Sequence, residues 1–212
     1  MEKRGVLIAV EGVEGSGRST HVEGIKKFLE EEGYGVTVIG LQSSQLLGAL
    51  INQVKRDLVF QRITLFLAYA TDLADQLEYT VKEALNSGFV VLADGYIYTL
   101  MAWGLTRGLD KAWLADVLSF AIKPDLGISL IAPSSVIVRR VITKGGRIDP
   151  LKSSIDLCVN RDLFTSFRAY VKTFQRHLLE LSKENGLKVV RTDKAFEEVN
   201  REIINFVRGV LK

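Results

Sequence analysis

Short apolar runs rich in β-branched residues alternate along this chain with longer stretches of helical period. The runs are GVLIAV (5–10), GVTVIG (35–40), FVVLAD (89–94), LGISLI (126–131) and LKVVRT (187–192), each read as a buried strand. Their near-continuous apolarity is the pattern of parallel strands covered on both faces. Between them, residues 19–32, 61–87, 111–122, 134–143, 155–184 and 196–211 carry the helical period. Gly33, Gly88 and the segment 184–186 read as helix stops. The alternation predicts a three-layer α/β fold with a doubly wound, five-stranded parallel sheet and right-handed crossovers. Ligands bind such sheets at the carboxyl ends of the strands, so function is expected after residues 10, 40, 93 and 131.

Composition changes this picture little. The 212 residues fit one domain, 1–212, with a full core and no repeat or linker. Apolar residues at 47% and charged residues at 25% are ordinary for a globular protein. A net charge of +3 suits an acidic small molecule and lacks the basic excess of a nucleic-acid binder. The single cysteine, Cys158, excludes an internal disulfide and fits a reducing compartment. The start, MEKRGVLIAV, has no cleavage pattern, and no stretch approaches the roughly 20 apolar residues of a membrane span. The expectation is a cytoplasmic protein that needs no membrane. His21, His177 and Cys158 are too scattered to suggest a metal cluster.

Candidate chemistry sits first in VEGVEGSGRST (10–20). The phosphate-loop signature G-x-x-x-x-G-K-[ST] is matched at Gly12, Gly17 and Ser19, between a strand and a helix. Gly12, Gly15, Ser16, Gly17, Arg18, Ser19 and Thr20 form the candidate loop. Its backbone N–H groups make an anion nest, and the helix start adds roughly half a positive charge. Ser19 offers a hydroxyl to Mg²⁺. The loop lysine is replaced by Arg18, which keeps the charge but is planar and bulkier. Lysine at that position is expected to raise turnover if the acceptor site works.

Together with ADGYIYTLMAW (93–103) and IKPDLGISLIAP (122–133), the loop resembles that of the thymidylate kinases. Glu11, Gly12, Glu14, Gly15, Gly17, Ser19 and Thr20 match the family's loop. Asp94, Tyr96 and Thr99 match its D-R-[YFH] segment, and Pro124, Asp125, Pro133 and Arg140 match further on. The resemblance implies a P-loop NTPase fold of the nucleoside monophosphate kinase type. It also implies transfer of the ATP γ-phosphoryl group to dTMP, with Mg²⁺, in a homodimer. On that resemblance Arg18 and Asp94 act at the transferred group, and Ser19 and Asp94 serve the metal. Arg140 lies against the adenine. Glu14 accepts from the acceptor's sugar, and Tyr96 and Thr99 fall on the acceptor side. A lid over 143–154 supplies Lys144 and Arg147 as charge clamps.

Departures collect on the acceptor side. The arginine of D-R-Y is Gly95, an arginine of the long helix is Leu73, and GLQSSQ (40–45) lacks the family's acid and proline. Arg62, Arg107 and Lys55 are candidates to reach an acceptor phosphate. Phe66 and Tyr69, i and i+3 on one helix face, are candidates either to stack on a base or to fill the core. Trp103 and Trp113 are expected to pack. A non-catalytic nucleotide binder, or a kinase for another acceptor, stays open as an alternative.

Overall fold

The computed structural model describes residues 4–56, 61–145 and 162–211. Strands β1 (Val6–Glu11), β2 (Val36–Gly40), β3 (Val90–Asp94), β4 (Leu126–Ile131) and β5 (Lys188–Arg191) form a single sheet. Its order is β2-β3-β1-β4-β5, and all neighbours are parallel. Each strand lies within about one residue of its apolar run, because a run covered on both faces is bounded sharply by polar turns.

The sheet separates two cores. Odd-numbered Leu7, Ala9, Val91 and Ala93 face one side, and even-numbered Ile8, Val10, Val90 and Leu92 the other. That period of two follows from the pleat. On the first side pack α3 (Arg62–Gln76), α5 (Ile97–Thr106) and α8 (Leu163–Asn185), through Phe66, Leu73, Leu100, Phe167, Phe174 and Leu178. On the second pack α1 (Arg18–Glu31) and α9 (Phe196–Leu211), through Ile25, Leu29, Ile203 and Val207. Each of these four is fully buried and contributes about 1.5–3 kcal/mol by leaving water. Helices α2 (Gly48–Arg56), α4 (Lys82–Asn86), α6 (Lys111–Val117) and α7 (Ser134–Gly145) complete the described elements.

Several helix boundaries differ from the expected ones. The helix over 61–87 widens into a π turn at Leu77–Val81 between α3 and α4. α6 stops at Val117 rather than 122, and Ser119 and Ala121 donate to Asp116 and Leu118 in tight turns ahead of Pro124. A residue before proline is pushed out of the helical region. α7 runs on to Gly145, so Thr143 and Lys144 are helical rather than part of a loop. The rest of the expected lid, with Arg147 and Cys158, lies outside the described residues. α8 starts at Leu163, capped by Asp162, whose carboxylate accepts from Thr165 N at 2.7 Å, and residues 155–161 also lie outside. α2 was not expected.

β1 and β3 are neighbours, yet the helices that follow them, α1 and α5, lie on opposite faces of the sheet. A crevice therefore opens where the chain leaves these two strands. One buried carboxylate closes its floor. Glu11, at the end of β1 and fully buried, accepts from Tyr96 N (2.9 Å), Tyr98 N (3.2 Å) and Thr99 N (2.9 Å), and from Thr99 Oγ1 (2.5 Å). These amides belong to the first turn of α5, which has no internal partners for them. α5's own N-cap residue, Tyr96, makes no side-chain cap, so Glu11 caps the helix from 85 residues away. Burial pushes the Glu11 carboxyl above the ordinary 4.5, and the four donors pull in the opposite direction. At the other end of the sheet Asp125 fastens β1, its carboxylate accepting from Leu7 N at 2.8 Å.

Replacing Glu11 by Gln turns one acceptor into an NH₂ group that faces amide donors. The expected loss is about 1–3 kcal/mol of stability, read as a lower midpoint in urea unfolding with an unchanged slope. An unchanged midpoint would show that the clamp contributes nothing.

Candidate functional site

The segment from Gly12 to Ser19 leaves β1 and turns into α1. Ser16 N donates to Val13 O at 3.1 Å, and Gly17 in the left-handed conformation starts the helix. Its first amide is fixed from α5: Gly12 N donates to Thr99 Oγ1 at 3.1 Å. Ser16 is fully buried beneath the turn and does not line the cleft, and its Oγ has no hydrogen-bond partner among the described residues. Its carbonyl accepts from Thr192 Oγ1 at 2.8 Å.

A cleft of about 1300 Å³ opens over this loop. That is larger than a site for a single small ligand needs. Of the expected residues, Gly12, Glu14, Gly15, Gly17, Arg18, Ser19, Thr20, Asp94, Thr99, Tyr69, Arg140 and Lys144 line it. Ser19 Oγ donates to Asp94 Oδ2 at 2.5 Å, and Arg18 Nε lies 3.3 Å from Asp94 Oδ1. Asp94 therefore joins the loop to the end of β3 and does not cap α5.

Other expected residues are placed elsewhere. Tyr96 is fully buried, and its hydroxyl donates to Ile122 O at 2.9 Å. Burial beside the Glu11 charge drives its phenol pKa far above the ordinary 10. Phe66 is fully buried against Trp103 and Trp113, with ring centroids 6.5 and 5.5 Å away. Neither can reach a ligand, because large apolar side chains facing the sheet are claimed by the core. Thr99 lines the cleft, but its hydroxyl already serves Glu11 and Gly12. Leu73 is a core residue.

On the β2 side of the loop, the cleft wall is aromatic. Tyr69 meets Trp103 edge-on at 5.6 Å, and the Arg107 guanidinium lies 3.9 Å from the Trp103 ring centre and 5.4 Å from that of Tyr170. Arg62 reaches back to Arg107 O at 2.9 Å, so it supports this wall. The segment after β2 is held by α3. Asp72 accepts from Gln42 N (2.9 Å) and Ser44 N (3.1 Å), and Gln76 bonds both backbone groups of Gly40. Burial raises the Asp72 carboxyl while these amides lower it, with a net upward shift. Gln42 is held with φ +65°, a conformation that needs such over-determination.

On the β4 side, Arg140 from α7 donates to Thr192 Oγ1 at 3.1 Å and to Thr192 O. Lys194 and the half-exposed ring of Phe196, stacked at 5.1 Å on His21, complete that end. Sequence reasoning missed Asp72, Gln76, Thr192, Lys194 and Phe196, and it set Trp103 aside as packing. Two signals were present: Thr99, Trp103 and Arg107 repeat at helical spacing, and Thr192 follows a fifth strand end. Asp72 and Gln76 had none, since their partners lie 28–36 residues away.

The loop with Ser19 and Asp94 thus opens into one cleft whose two ends differ, one lined by Tyr69 and Trp103 and the other by Arg140 and Lys194. The chain matches the family model of thymidylate kinase over residues 10–203. It is 31% identical to "Probable thymidylate kinase 2" of Saccharolobus solfataricus, covering 86% of this chain and 85% of that one. It is 29% identical to "Probable thymidylate kinase" of Thermococcus gammatolerans, covering 96% of each. It is 30% identical to "Thymidylate kinase" of Halothermothrix orenii, covering 98% of this chain and 99% of that one. With the parallel sheet and phosphate loop in place, these matches make the chain a phosphotransferase that belongs to the thymidylate kinase family.

Proposed function

We propose that this protein transfers the γ-phosphoryl group of ATP to the phosphate of dTMP, giving dTDP and ADP. The observation that carries the reading is one continuous cleft in which a phosphate loop separates an aromatic end from a basic end. The loop amides and the start of α1 hold the donor's phosphates. Arg140, fixed by Thr192, and Phe196 flank the donor base. Tyr69 and Trp103 receive the acceptor base, with Glu14 near its sugar. Lys144, exposed on the last turn of α7 and lining the cleft, meets the charge that develops on the transferred group. Arg147, outside the described residues, is the second candidate for that role.

The Ser19 hydroxyl and the Asp94 carboxylate, 2.5 Å apart at the cleft wall, are hard oxygen donors of the kind Mg²⁺ prefers. Held by these two residues, Mg²⁺ would supply positive charge to offset that of the donor's phosphates. No step of the acceptor's recognition depends on it: orientation comes from the loop, the aromatic wall and the clamped segment after β2. We infer that the reaction takes place in the cytoplasm, where ATP and dTMP meet. We also infer a homodimer, supported by Ile63 (49% exposed) and Leu67 (41%) one turn apart on α3. Among the described residues no helix is long and apolar enough to cross a membrane.

Three measurements check this reading. ADP release from ATP and Mg²⁺ with a panel of nucleoside monophosphates should show turnover, with kcat/KM for dTMP at least about tenfold above the others. No ADP with any of them sinks the proposal. Trp103→Ala should raise KM for dTMP about tenfold and leave KM for ATP unchanged; an effect on ATP instead would assign the wall to the donor. Sedimentation should give twice the 23.6 kDa chain mass, and Leu67→Glu should halve it, whereas a monomeric parent protein contradicts the dimer.

A further inference from the structure

Gly95 has φ +78°, and a Cβ built on it would lie 2.2 Å from Arg18 Nη1 and 3.1 Å from Arg18 Cζ. The guanidinium of the loop arginine therefore occupies the space that any side chain at position 95 would take. The chain is built to allow this: left-handed backbone is nearly free of cost for glycine alone. A third group, Leu41 Cδ1 at 3.2 Å from the same point, closes the far side.

The direction of the side chain matters. Arg18 starts at the loop after β1 and crosses the end of β3, pairing with Asp94 on the way. It ends between Gly95 and Leu41, toward β2. It thus points away from β4, α7 and the end of the cleft that holds Arg140 and Lys194. Its side chain is 19% exposed and lines the cleft, while Nη1 is shielded from solvent without a hydrogen-bond partner among the described residues. Asp94 Oδ1 is likewise without a hydrogen bond there, its contact with Arg18 Nε being an ion pair only. A buried donor left without a partner costs free energy unless a ligand or a small shift engages it. The guanidinium is held by Asp94 at one edge, and the part of it that lines the cleft can meet an incoming anion.

We propose that Arg18 and Gly95 work as one unit, in which the Arg18 guanidinium, laid over the bare backbone of Gly95, binds the phosphate of the acceptor nucleotide rather than the phosphates of the donor. The inference rests on the kinase reading above. A planar fork suits a terminal phosphate with free oxygens, and lysine is not its equivalent. The loop amides alone then hold the donor. On this assignment, lysine at position 18 is expected to weaken dTMP binding instead of raising turnover.

The test is a set of titrations on the full-length protein, with ATP and dTMP measured separately by calorimetry. Circular dichroism verifies the fold of each variant. Arg18→Lys should weaken dTMP binding at least tenfold and change ATP binding less than threefold. Gly95→Ala, which displaces the guanidinium, should show the same pattern. Gly95→Arg alone should weaken dTMP further, since two guanidinium groups then contend for one place. The double variant Arg18→Lys with Gly95→Arg should recover affinity relative to both single variants. The proposal is overturned if Arg18→Lys weakens ATP as much as dTMP, or if the two positions behave additively. A wild-type protein that binds ATP but no nucleoside monophosphate overturns the kinase reading and this inference together. Intact dTMP binding with the wrong variant pattern overturns this inference alone.

Discussion

The structure depends on a carboxylate sealed away from the cleft. Glu11 ends the central strand and accepts from three amides and one hydroxyl at the start of α5. An ionised group so deep would be costly without compensation, and four donors provide it. Its partner Thr99 in turn receives the first amide of the phosphate loop. Strand, loop and helix are thereby set against one another across the crevice where β1 and β3 send their helices to opposite faces. Asp94 and Gly95 lie at the mouth of that crevice, so their placement against Arg18 and Ser19 follows from a contact beneath them.

Much of this was legible in the sequence. Parallel strands covered on both faces read as apolar runs, and all five appear where the runs lie. The phosphate loop was legible because its spacing is local: strand, glycines, hydroxyl and helix follow within a dozen residues. Pairing of distant residues was not. Tyr96 and Phe66 are aromatic near the loop and on a suitable helix, yet both face the core, and only the register of α3 and α5 decides that. Asp72 and Gln76 hold the segment after β2 through side chains from another helix. They stand where that segment lacks an acid and a proline of its own.

The departures from the family's pattern look different once they are placed together. Arginine in the loop and glycine at position 95 read singly as an altered cation at one place and a lost one at another. In the fold they are one arrangement, because the first fills the space the second leaves. The Arg18 guanidinium lies at the neighbouring strand end, and the side chain lines the cleft. Leu73 belongs to the core, and the polar and aromatic contacts of that wall come from Tyr69, Trp103 and Arg107 instead.

The central claim is that one loop serves two nucleotides, its amides the donor and its arginine the acceptor. It is tested most directly by a crystal structure with ADP and dTMP bound together. The account predicts a guanidinium nitrogen of Arg18 about 3 Å from an oxygen of the dTMP phosphate, with the side chain still lying over Gly95. An Arg18 swung toward α7 and bonded to the β-phosphate of ADP, with no protein cation on dTMP from this position, would contradict it.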